Sequence, residues 1–496
     1  MTSPGWSVHL PPGTRMDLAA GATLPGAWTA AWRADGARPV LSYLDGEPLT
    51  AAELEERTAH AAGRLAAAGL AAGQRLLVCA GTSLELVVAY VAALRLGLTV
   101  VPANPGYSDA ELAALVATAG PAAAVLDEPS RLEGVRATTP DLAGLPPART
   151  GVTLDAAAGV DTALVVYTSG TTGRPKGVPL SHANLLAGAH AVRLAWRWEP
   201  DDNLALSLPL FHMHGLGVGL HGTLVTGARA TLIPRFTPEA VAAAVTGGGA
   251  TMLFGVPTMY HKLASSPVAP DLAGLRLAVS GSAPMPAALH DQVREACGQV
   301  VLERYGMTET VMLASNPYEG ERRPGTVGFP LPGVELRLAP AVGGAEEIQV
   351  RGPNVIAGYL DDPEADALAY TSDGWFRTGD LGRLDADGYL RISGRAKELI
   401  ITGGYNVYPA EVEDVLRGHA GVADAAVVGL PSAKWGEIVA AFVVPADGVD
   451  AAKLVAELPE WAAARLVEYK RPREWRTVDA IPRNALGKAL RHRLAP

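Results

Sequence analysis

The chain has 496 residues, of which 49% are hydrophobic and 19% are charged, and its formal net charge at pH 7 is −10. At ~150 residues per domain this length predicts about three folded units, and the negative charge argues against a protein that coats nucleic acid. The longest apolar stretch, residues 86–101, is interrupted by Arg95 and Gly97. Because a membrane span needs ~20 apolar residues, the sequence predicts none.

The cysteines and the two ends of the chain suggest a cellular location and an anion-binding stretch. Cys79 and Cys297 are the two cysteines, too few for a disulfide framework. Residues 1–15 lack the basic region and apolar core of a secretory signal, so we expect a cytoplasmic protein. Residues 465–493 hold nine lysines and arginines against three acidic residues. This basic stretch either meets an anionic ligand or forms a solvated face.

Short apolar runs alternate with alanine-rich segments through the first two thirds of the chain. Residues 75–127 read as strand, helix, strand, helix, strand, the pattern of a parallel α/β sheet. Ser108 is predicted to cap the second of these helices, with Glu111 completing a capping box. Further apolar runs at 205–211, 230–236, 251–256 and 275–281 repeat the pattern. The sequence therefore predicts a large N-terminal α/β domain.

The pattern changes after about residue 325. Runs such as GVELRLAP (333–340) and EEIQVRG (346–352) resemble short strands joined by glycine-rich turns, as in antiparallel sheet. A small α/β unit follows, with a helix predicted through residues 455–470. We place the domain boundary so that residues 1–394 form the large domain and residues 395–496 the small one.

Five short segments carry the chemistry. Residues 167–177, YTSGTTGRPKG, combine glycines, hydroxyls and cations in one turn, which is suited to a polyphosphate but is not the usual P-loop order. Residues 304–309, RYGMTE, offer Tyr305 to stack on a base, Thr308 to donate to a phosphate and Glu309 to hold Mg²⁺. Asp380, which ends GWFRTGD, is placed to accept hydrogen bonds from a ribose. The remaining two are GSAP (281–284) and PRNALGK (482–488).

Together with GRAKE (394–398), these segments stand in the order and approximate spacing of the adenylate-forming superfamily, which the chain resembles from about residue 40 to 488. That superfamily contains acyl-CoA synthetases, peptide-synthetase adenylation domains and firefly-type luciferases. The resemblance implies an α/β fold: a large N-terminal domain of stacked sheets with a distorted β-barrel-like part, and a small mobile C-terminal domain. It also implies a ligase that uses ATP and Mg²⁺ to form an acyl-AMP and then transfers the acyl group to coenzyme A.

The resemblance also assigns roles to residues of this chain. Lys488 is the implied catalytic cation, assisted by Thr168 and by Glu309 as the Mg²⁺ ligand, and Lys397 is the implied hinge. The implied nucleotide and CoA contacts are Thr168, Ser169, Gly170, Thr171, Thr172, Gly173, Lys176, Gly281, Ser282, Ala283, Pro284, Arg304, Tyr305, Gly306, Met307, Thr308, Asp380, Arg395, Gly403, Gly404 and Tyr405. The paired glycines are expected to line a tunnel for the pantetheine arm of CoA.

The acid is predicted from PLFHMHG, residues 209–215. His212 stands where amino-acid-activating relatives usually have Asp, which argues against an amino-acid substrate. His212 and His214 are two apart, so on a strand they would share one face, and one of them is expected to face the acyl or pantetheine channel. Ser282 and Met307 are the other predicted substrate contacts. This segment and RYGMTETVM are most similar to malonyl-CoA synthetases. Arg235 is the predicted partner of a second carboxylate.

Other readings stay open. The acid could be a different short-chain, medium-chain or aryl acid, in which case Arg235 would face solvent. The acyl-AMP could be passed to a carrier protein instead of free CoA, since both acceptors present a pantetheine arm. A homologue that binds without catalysis is disfavoured by the retained residues Lys176, Glu309, Asp380 and Lys488. We expect no nucleic-acid partner, and the sequence leaves the oligomeric state open.

Overall fold

A computed structural model describes residues 5–11, 13–168, 176–341, 344–432, 434–484 and 488–494. Its α-helices, in chain order, are α1 (Leu24–Ala34), α2 (Ala51–Ala67), α3 (Leu84–Arg95), α4 (Asp109–Ala119), α5 (His182–Ala195), α6 (His221–Thr226), α7 (Pro238–Thr246), α8 (Pro257–Ala264), α9 (Ala287–Cys297), α10 (Pro363–Ala369), α11 (Pro409–Arg417) and α12 (Ala451–Ala463).

The strands are β1 (Pro39–Ser42), β2 (Leu49–Thr50), β3 (Arg75–Cys79), β4 (Thr99–Pro102), β5 (Ala123–Leu126), β6 (Ala137–Thr138), β7 (Thr162–Thr168), β8 (Lys176–Ser181), β9 (Asn203–Leu206), β10 (Arg229–Leu232), β11 (Met252–Gly255), β12 (Leu277–Ser280), β13 (Leu302–Tyr305), β14 (Ala314–Ser315), β15 (Phe329–Pro330), β16 (Glu335–Pro340), β17 (Glu346–Arg351), β18 (Phe376–Leu384), β19 (Leu390–Arg395), β20 (Ile400–Thr402), β21 (Tyr405–Val407), β22 (Val422–Ser432), β23 (Gly436–Pro445) and β24 (Glu474–Thr477).

Two mostly parallel sheets build the large domain. One has the strand order β15-β14-β13-β12-β11-β9-β10-β1-β2, and the other β6-β5-β3-β4-β7-β8. Strands β1, β10, β9, β11, β12 and β13 run parallel, so their carboxyl ends meet at one edge of the sheet. Ligands bind at such edges in open α/β sheets.

The chain after residue 334 is built from antiparallel pairs. Strands β16 to β19 form a sheet in sequence order, with Asp380 on β18 opposite Arg395 on β19. The C-terminal sheet has the order β21-β20-β23-β22, and β24 pairs with β23 in parallel. Its own apolar core includes Val412, Leu416 and Leu458, packed between this sheet and helices α11 and α12.

Several elements follow directly from the sequence. The predicted strand–helix–strand–helix–strand order is confirmed by β3, α3, β4, α4 and β5. Ser108 caps α4 and forms the predicted capping box with Glu111. The last long helix, predicted to continue through residue 470, ends at Ala463. No helix of the described residues is long and apolar enough to cross a bilayer.

The main core lies between the sheets and the helices that cover them. It includes the fully buried rings of Trp28, Trp32, Trp196 and Trp198. Trp196 and Trp198 both meet Phe254 edge-on, with ring centroids 5.2 and 5.3 Å apart. These contacts anchor β11, and with it the carboxyl edge of the nine-stranded sheet, against α5.

Candidate active site

The turn after β13 brings a buried carboxylate to the sheet edge. Gly306 is required there, because a Cβ would lie 2.5 Å from the carbonyl oxygen of Val311. Val311 has φ +54°, a conformation that is strained for a β-branched residue and is concentrated at functional sites. Between them Thr308–Thr310 forms a short 3₁₀ turn that contains Glu309. Met307 precedes this turn and packs, half-buried, against the main core.

One oxygen of the Glu309 carboxylate is fixed by a tyrosine. Its Oε1 accepts a hydrogen bond from the hydroxyl of Tyr359 at 3.1 Å. Burial raises the pKa of the Glu309 carboxyl. A cation bound beside it would favour the charged carboxylate and so offset that effect. Mg²⁺ commonly takes one or two carboxylates and completes its shell with phosphates and water. Glu309 fits that role.

Asp380 is held on both oxygens. Arg395 Nε lies 2.7 Å from Oδ1, across the β18–β19 pair. The Tyr305 hydroxyl donates to Oδ2 at 2.5 Å, and burial, followed by the Asp380 charge, raises the pKa of that phenol. Tyr305 is predicted from sequence to stack on a base; in this structure its hydroxyl fixes the ribose-binding candidate.

The phosphate segment is described only at its ends. Thr168 closes β7 and pairs with Lys176 at the start of β8. The predicted contacts Ser169, Gly170, Thr171, Thr172 and Gly173 lie outside the described residues. Lys176 Nζ sits 4.9 Å from the centre of the Tyr359 ring, the same tyrosine that binds Glu309. The loop's end is therefore joined to the carboxylate site.

Lys488 and Lys397 belong to the same electrostatic neighbourhood. Burial, and next the charge of Arg395, lowers the pKa of the Lys488 ammonium, while Glu398 and Asp380 raise it. Burial, then Arg395, also lowers the pKa of Lys397, and Lys176 contributes in the same direction. Lys397 lies in a 3₁₀ turn, Ala396–Glu398, between β19 and β20. The predicted catalytic cation Lys488 and the predicted hinge Lys397 therefore lie near Asp380, the residue predicted to bind the ribose.

The histidine segment differs from the prediction. Strand β9 ends at Leu206, and a π-helical stretch runs over His214–Leu220, so His212 and His214 do not share a face of a strand. The chain is not a strand around Met213, and the glycines that follow are closely packed. A Cβ at Gly215 would lie 2.3 Å from the Pro209 carbonyl oxygen. The two histidines are still close enough to interact electrostatically, since His212 contributes to lowering the pKa of His214.

Both rings are neutral and incompletely bonded. Burial lowers the pKa of His212 to about 4, and burial, then Arg304 and then His212, lowers that of His214 well below its usual value. His214 Nδ1 lies 3.3 Å from Ser282 Oγ. The Nε2 atoms of both histidines are buried without a hydrogen-bond partner. Ser282 itself has φ +70°, a second strained residue at this edge.

The GSAP segment follows β12 and gives way to an arginine. A Cβ on Gly281 would lie 2.4 Å from Arg304 Nε and Cζ, so only glycine leaves room for that guanidinium. Ala283 is half-buried and Pro284 is exposed.

Arg235, the predicted carboxylate partner, follows β10 and is exposed. Within the described chain it makes no ion pair with an acidic residue within 4 Å.

The predicted CoA contacts lie on a separate hairpin, β20–β21. Gly403 has φ +57° and its Cα faces the Trp435 ring, whereas Gly404 has φ +83° and faces open space. Tyr405 is exposed and stacks on Tyr469, with ring centroids 4.6 Å apart.

The basic stretch beside this hairpin is partly engaged. Lys470 pairs with Glu411 at 2.5 Å, and Arg471 binds backbone carbonyls of residues 463 and 466. Arg473 covers the Trp435 ring at 4.4 Å. A solvated face and an anion site therefore both remain compatible with this stretch.

Sequence reasoning missed three features of the site. Tyr359, which links Glu309 and Lys176, carries no motif of its own. Arg491 joins Glu398 at 2.9 Å and Glu413 at 2.9 Å, and so connects the end of the chain to the predicted hinge. The unpaired state of Arg304 depends on long-range packing. A tyrosine close after a glycine is too common a pattern to have marked Tyr359.

Comparison with known proteins agrees with this geometry. The family described as AMP-binding enzyme matches residues 28–360, and AMP-binding enzyme C-terminal domain matches residues 411–488. Feruloyl-CoA synthase of an Amycolatopsis species is 37% identical over 470 residues, covering 90% of this chain and 93% of that protein.

Two solved structures are similar over almost the whole chain. ATP-bound MatB from Rhodopseudomonas palustris has a TM-score of 0.87 and 36% identity, covering 95% of this chain and 98% of that one. A malonyl-CoA ligase in a ternary product complex with methylmalonyl-CoA and AMP is 42% identical, covers 96% of this chain and 99% of that one, and has a TM-score of 0.66. The chain therefore belongs to the AMP-binding enzyme family, the adenylate-forming superfamily, and is an ATP-dependent acyl-CoA ligase.

Proposed function

We propose that the acid joined to coenzyme A is a short dicarboxylate, malonate or methylmalonate, and that Lys488, Arg395, Asp380 and Glu309 form the adenylation site. The observation that carries the site is the contact of Asp380 with both Arg395 and Tyr305, with the Lys488 charge beside them. The choice of acid is supported by the 42% identity with a malonyl-CoA ligase.

The first half-reaction brings two anions together. A carboxylate oxygen of the acid attacks the α-phosphorus of ATP, and pyrophosphate leaves. Catalysis of such a transfer is mostly positioning and the stabilisation of charge that develops in the transition state. Lys488 is proposed to supply that charge at the α-phosphate, while Asp380 receives the ribose hydroxyls and Thr168 and Lys176 hold the departing phosphates.

A divalent cation would assist this step. Bound Mg²⁺ would neutralise negative charge on the phosphates. Glu309 would hold it, with its carboxylate oriented by the hydrogen bond from Tyr359 to Oε1. Tyr359 also lies under Lys176, so one side chain fixes both the carboxylate and the phosphate-binding lysine.

The second half-reaction uses another orientation of the small domain. We propose that residues 395–496 turn about Lys397, withdrawing Lys488 and bringing Gly403, Gly404 and Tyr405 toward the acyl-AMP. The CoA sulfur then attacks the acyl carbonyl carbon and AMP leaves. In support, the TM-score is higher for the ATP-bound relative than for the more identical CoA-product complex, 0.87 against 0.66.

A dicarboxylate requires a cation on the acyl side of the site. Burying its second carboxylate without a partner would cost several kcal/mol. Arg235 and Arg304 both lie at the carboxyl edge of the nine-stranded sheet, and His212, His214, Ser282 and Met307 line the same edge. His212 and His214 are neutral near pH 7, so an arginine has to supply the charge.

An aryl acid is the second candidate, favoured by the 37% identity with feruloyl-CoA synthase over 90% of this chain. Such an acid carries no second carboxylate and would leave both arginines without a charged ligand. Transfer to a carrier protein is a variant of either candidate, because the pantetheine arm is common to both acceptors.

A panel of acids tests the proposal. Purified protein with ATP and MgCl₂ is given malonate, methylmalonate, butyrate or ferulate, and pyrophosphate release is followed with and without CoA while loss of free thiol reports the thioester. We expect malonate or methylmalonate to give the highest kcat/KM, with continuous turnover only when CoA is present. Higher kcat/KM with ferulate or butyrate would overturn the choice of acid, and pyrophosphate release without thiol loss would indicate a carrier-protein acceptor.

A further inference from the structure

Residues 354–360, which we call the crossing segment, connect two parts of the nucleotide site. At one end the amide of Ile356 donates to the Glu309 carbonyl at 3.0 Å. At the other end the amide of Leu360 donates to the Gly177 carbonyl at 2.9 Å. Gly177 lies at the start of β8, where the phosphate segment ends, and Glu309 lies in the turn after β13. The crossing segment therefore runs from the predicted metal ligand to the predicted phosphate loop.

Helix α10 fixes the backbone of Tyr359 within this segment. The Tyr359 amide donates to Asp366 Oδ1 at 2.6 Å. Glycine is required just before it, because a Cβ at Gly358 would lie 2.6 Å from Asp366 Oδ2 and would press on that carboxylate. The tyrosine side chain therefore projects from a point that the protein itself sets. Such preorganisation reduces the cost of ordering a site when its ligand binds.

The Tyr359 side chain contacts both parts of the site. Its hydroxyl donates to Glu309 Oε1 at 3.1 Å. The Nζ atom of Lys176 lies 4.9 Å from the centre of its ring, a distance at which an ammonium is attracted to an aromatic face. A single stiff side chain thus orients the carboxylate assigned to the metal and the lysine assigned to the phosphates.

These two groups act on the same ligand. Lys176 is assigned to the phosphates of ATP directly, and Glu309 is assigned to them through a divalent cation. Because the ring and the hydroxyl of Tyr359 form one rigid group, a contact that fixes the ring also fixes the hydroxyl. By linkage, a ligand that orders such a shared group strengthens the binding of a second ligand that needs the same order, and the effect is reciprocal.

We propose that Tyr359 is a positioning residue for the adenylation step and couples the binding of the divalent cation to that of the ATP phosphates. Its hydroxyl holds the Glu309 carboxylate in place for the cation, and its ring holds the Lys176 ammonium in place for the phosphates. This inference rests on the roles proposed for Glu309 and Lys176 and names the residue that makes each depend on the other. It is independent of which acid is used, because both contacts lie on the nucleotide side.

Calorimetric titration of ATP into the full-length protein tests the coupling in the absence of any acid. The dissociation constant is measured in EDTA and again in excess MgCl₂, and the ratio of the two values is the gain from Mg²⁺. ATP chelates Mg²⁺ equally in every titration, so a difference in gain between variants comes from the protein. We expect Tyr359→Phe, which keeps the ring, to bind ATP in EDTA as the wild type does and to lose about tenfold of the gain.

Two further variants separate the ring from the hydroxyl and supply a control. Tyr359→Leu should lose the same gain and also bind ATP in EDTA about threefold more weakly, because the ring contact with Lys176 is removed. Tyr389 is a matched tyrosine outside every segment assigned to the nucleotide: its hydroxyl donates to the Glu321 carbonyl at 2.9 Å, and Arg323 Cζ lies 4.2 Å from its ring centre. Tyr389→Phe should match the wild type in both titrations.

The Mg²⁺ dependence of turnover separates positioning from a general structural defect. With the best acid and saturating ATP, Tyr359→Phe should need about tenfold more Mg²⁺ for half-maximal pyrophosphate release. Its rate at saturating Mg²⁺ should stay close to that of the wild type, because a high concentration of the cation compensates for weaker binding. A lower maximal rate with an unchanged Mg²⁺ requirement would overturn the inference, and so would an unchanged calorimetric gain.

If Tyr359→Phe does not fold, Lys176→Gln probes the coupling from the other side. Without coupling, loss of a cation beside the phosphates should make Mg²⁺ contribute more, and the gain should rise. With coupling through Tyr359 the gain should fall, and an equal or larger gain would refute the inference. A wild type with no gain from Mg²⁺ would overturn both the inference and the metal role of Glu309. Failure of the proposed acid is seen separately, as a lack of turnover with dicarboxylates while the gain persists.

Discussion

Lys488 combines burial with positive charge, and that combination determines what its loss should do. Burial and the nearby Arg395 lower the pKa of its ammonium, whereas Glu398 and Asp380 raise it. The phosphates of ATP would add further negative charge and favour the protonated form. The charged form of the lysine should therefore be more stable beside bound phosphates than beside its protein neighbours alone.

Lys488→Ala should lower acyl-AMP formation by ~10² to 10³-fold, the usual cost of removing one transition-state donor. The second half-reaction, started from supplied acyl-AMP and CoA, should keep most of its rate, because the proposed rotation withdraws Lys488 before that step. Pyrophosphate release measures the first step and thioester formation the second. The exposed Lys453 offers a control, and Lys453→Ala should alter neither. Equal loss in both steps would argue against two orientations.

Residue-level reasoning from sequence located these groups but not their partners. The motifs identified Asp380, Arg395, Glu309 and Lys488 as residue types suited to a nucleotide. That Tyr305 would donate to Asp380 rather than stack depends on the distance between β13 and β18, and the two residues are 75 apart in sequence. Such pairings are set by tertiary packing, and a single sequence carries no signal for them.

At the scale of elements, the turn of the β20–β21 hairpin is made of two glycines, and one of them has unfilled space beside it. Gly403 and Gly404 both have positive φ, but they differ in surroundings: the first faces the Trp435 ring and the second faces open space. The Gly403 amide donates to the Trp435 carbonyl at 2.8 Å. The hairpin is thus fixed on one side by Trp435, whereas a Cβ added at Gly404 would have no heavy atom within 4 Å. In the proposed CoA-binding orientation, bulk added at Gly404 would meet the incoming ligand and not the protein.

Gly404→Leu should block the CoA step while sparing acyl-AMP formation. A leucine at positive φ costs about 1–2 kcal/mol of backbone strain, which a stable domain tolerates, and its side chain would occupy the path of the pantetheine arm. We expect a single-turnover burst of pyrophosphate of normal size and a steady-state thioester rate at least tenfold lower.

A matched variant isolates the steric effect. Gly448 lies in the same domain with φ +76°, and a Cβ added to it would have no heavy atom within 4 Å, so Gly448→Leu carries similar strain at another turn. It should leave both half-reactions unchanged. If it slows thioester formation as much as Gly404→Leu does, strain and not a blocked path is responsible.

The elements themselves were predictable where periodicity and caps agreed. Helix α4 has its capping box at Ser108 and Glu111 as expected. The strand predicted for the segment after β9 was wrong, because an apolar run with alternating glycines is compatible with either a strand or a buried helix. Close packing of Gly215 against the Pro209 carbonyl, and of Gly217 against Met213, favours the π-helical stretch. That choice is made by neighbours and not by local pattern.

At the scale of the molecule, the end of the chain is tied to the predicted hinge. Arg491 binds Glu398 in the turn that contains Lys397, and it also binds the buried Glu413 at the start of the small domain. Glu413 in turn accepts a hydrogen bond from the Val427 amide at 2.8 Å. These contacts connect the segment carrying Lys488 to the predicted hinge turn and to the small-domain core, so that under the proposed rotation Lys488 would move as part of that domain.

The molecule also buries many histidines in the neutral form. Burial is the first cause of a lowered pKa at six of them: to about 4 at His9, His182 and His212, to about 3 at His221, to a lower value at His190 and well below the usual range at His214. These rings remain neutral in the folded protein at pH values where an unfolded chain, with a histidine pKa of about 6.5, takes up protons.

This difference predicts acid sensitivity below the activity range. Between about pH 6.5 and 4 the unfolded chain binds more protons than the folded one, so stability is fully present above pH 6.5 and falls as the pH drops, by at most about 1.4 kcal/mol per pH unit for each such histidine. Glu309, whose pKa burial raises, acts in the opposite direction but is one group against these six. We expect the urea midpoint to be nearly flat from pH 8 to 7 and to fall steeply from pH 6 to 5.

One buried and one exposed histidine provide the test of this mechanism. His190 Nε2 lies 2.9 Å from the Ala20 carbonyl oxygen, a contact that a glutamine side-chain amide can keep by donating. His190→Gln should therefore fold, and it should lose less stability than the wild type between pH 6 and 5, because one fewer group titrates on unfolding. The exposed His261 serves for comparison, and His261→Gln should follow the wild-type curve. A wild-type midpoint that is as high at pH 5 as at pH 7.5 would contradict the histidine account, since the six rings would then take up protons equally in both states.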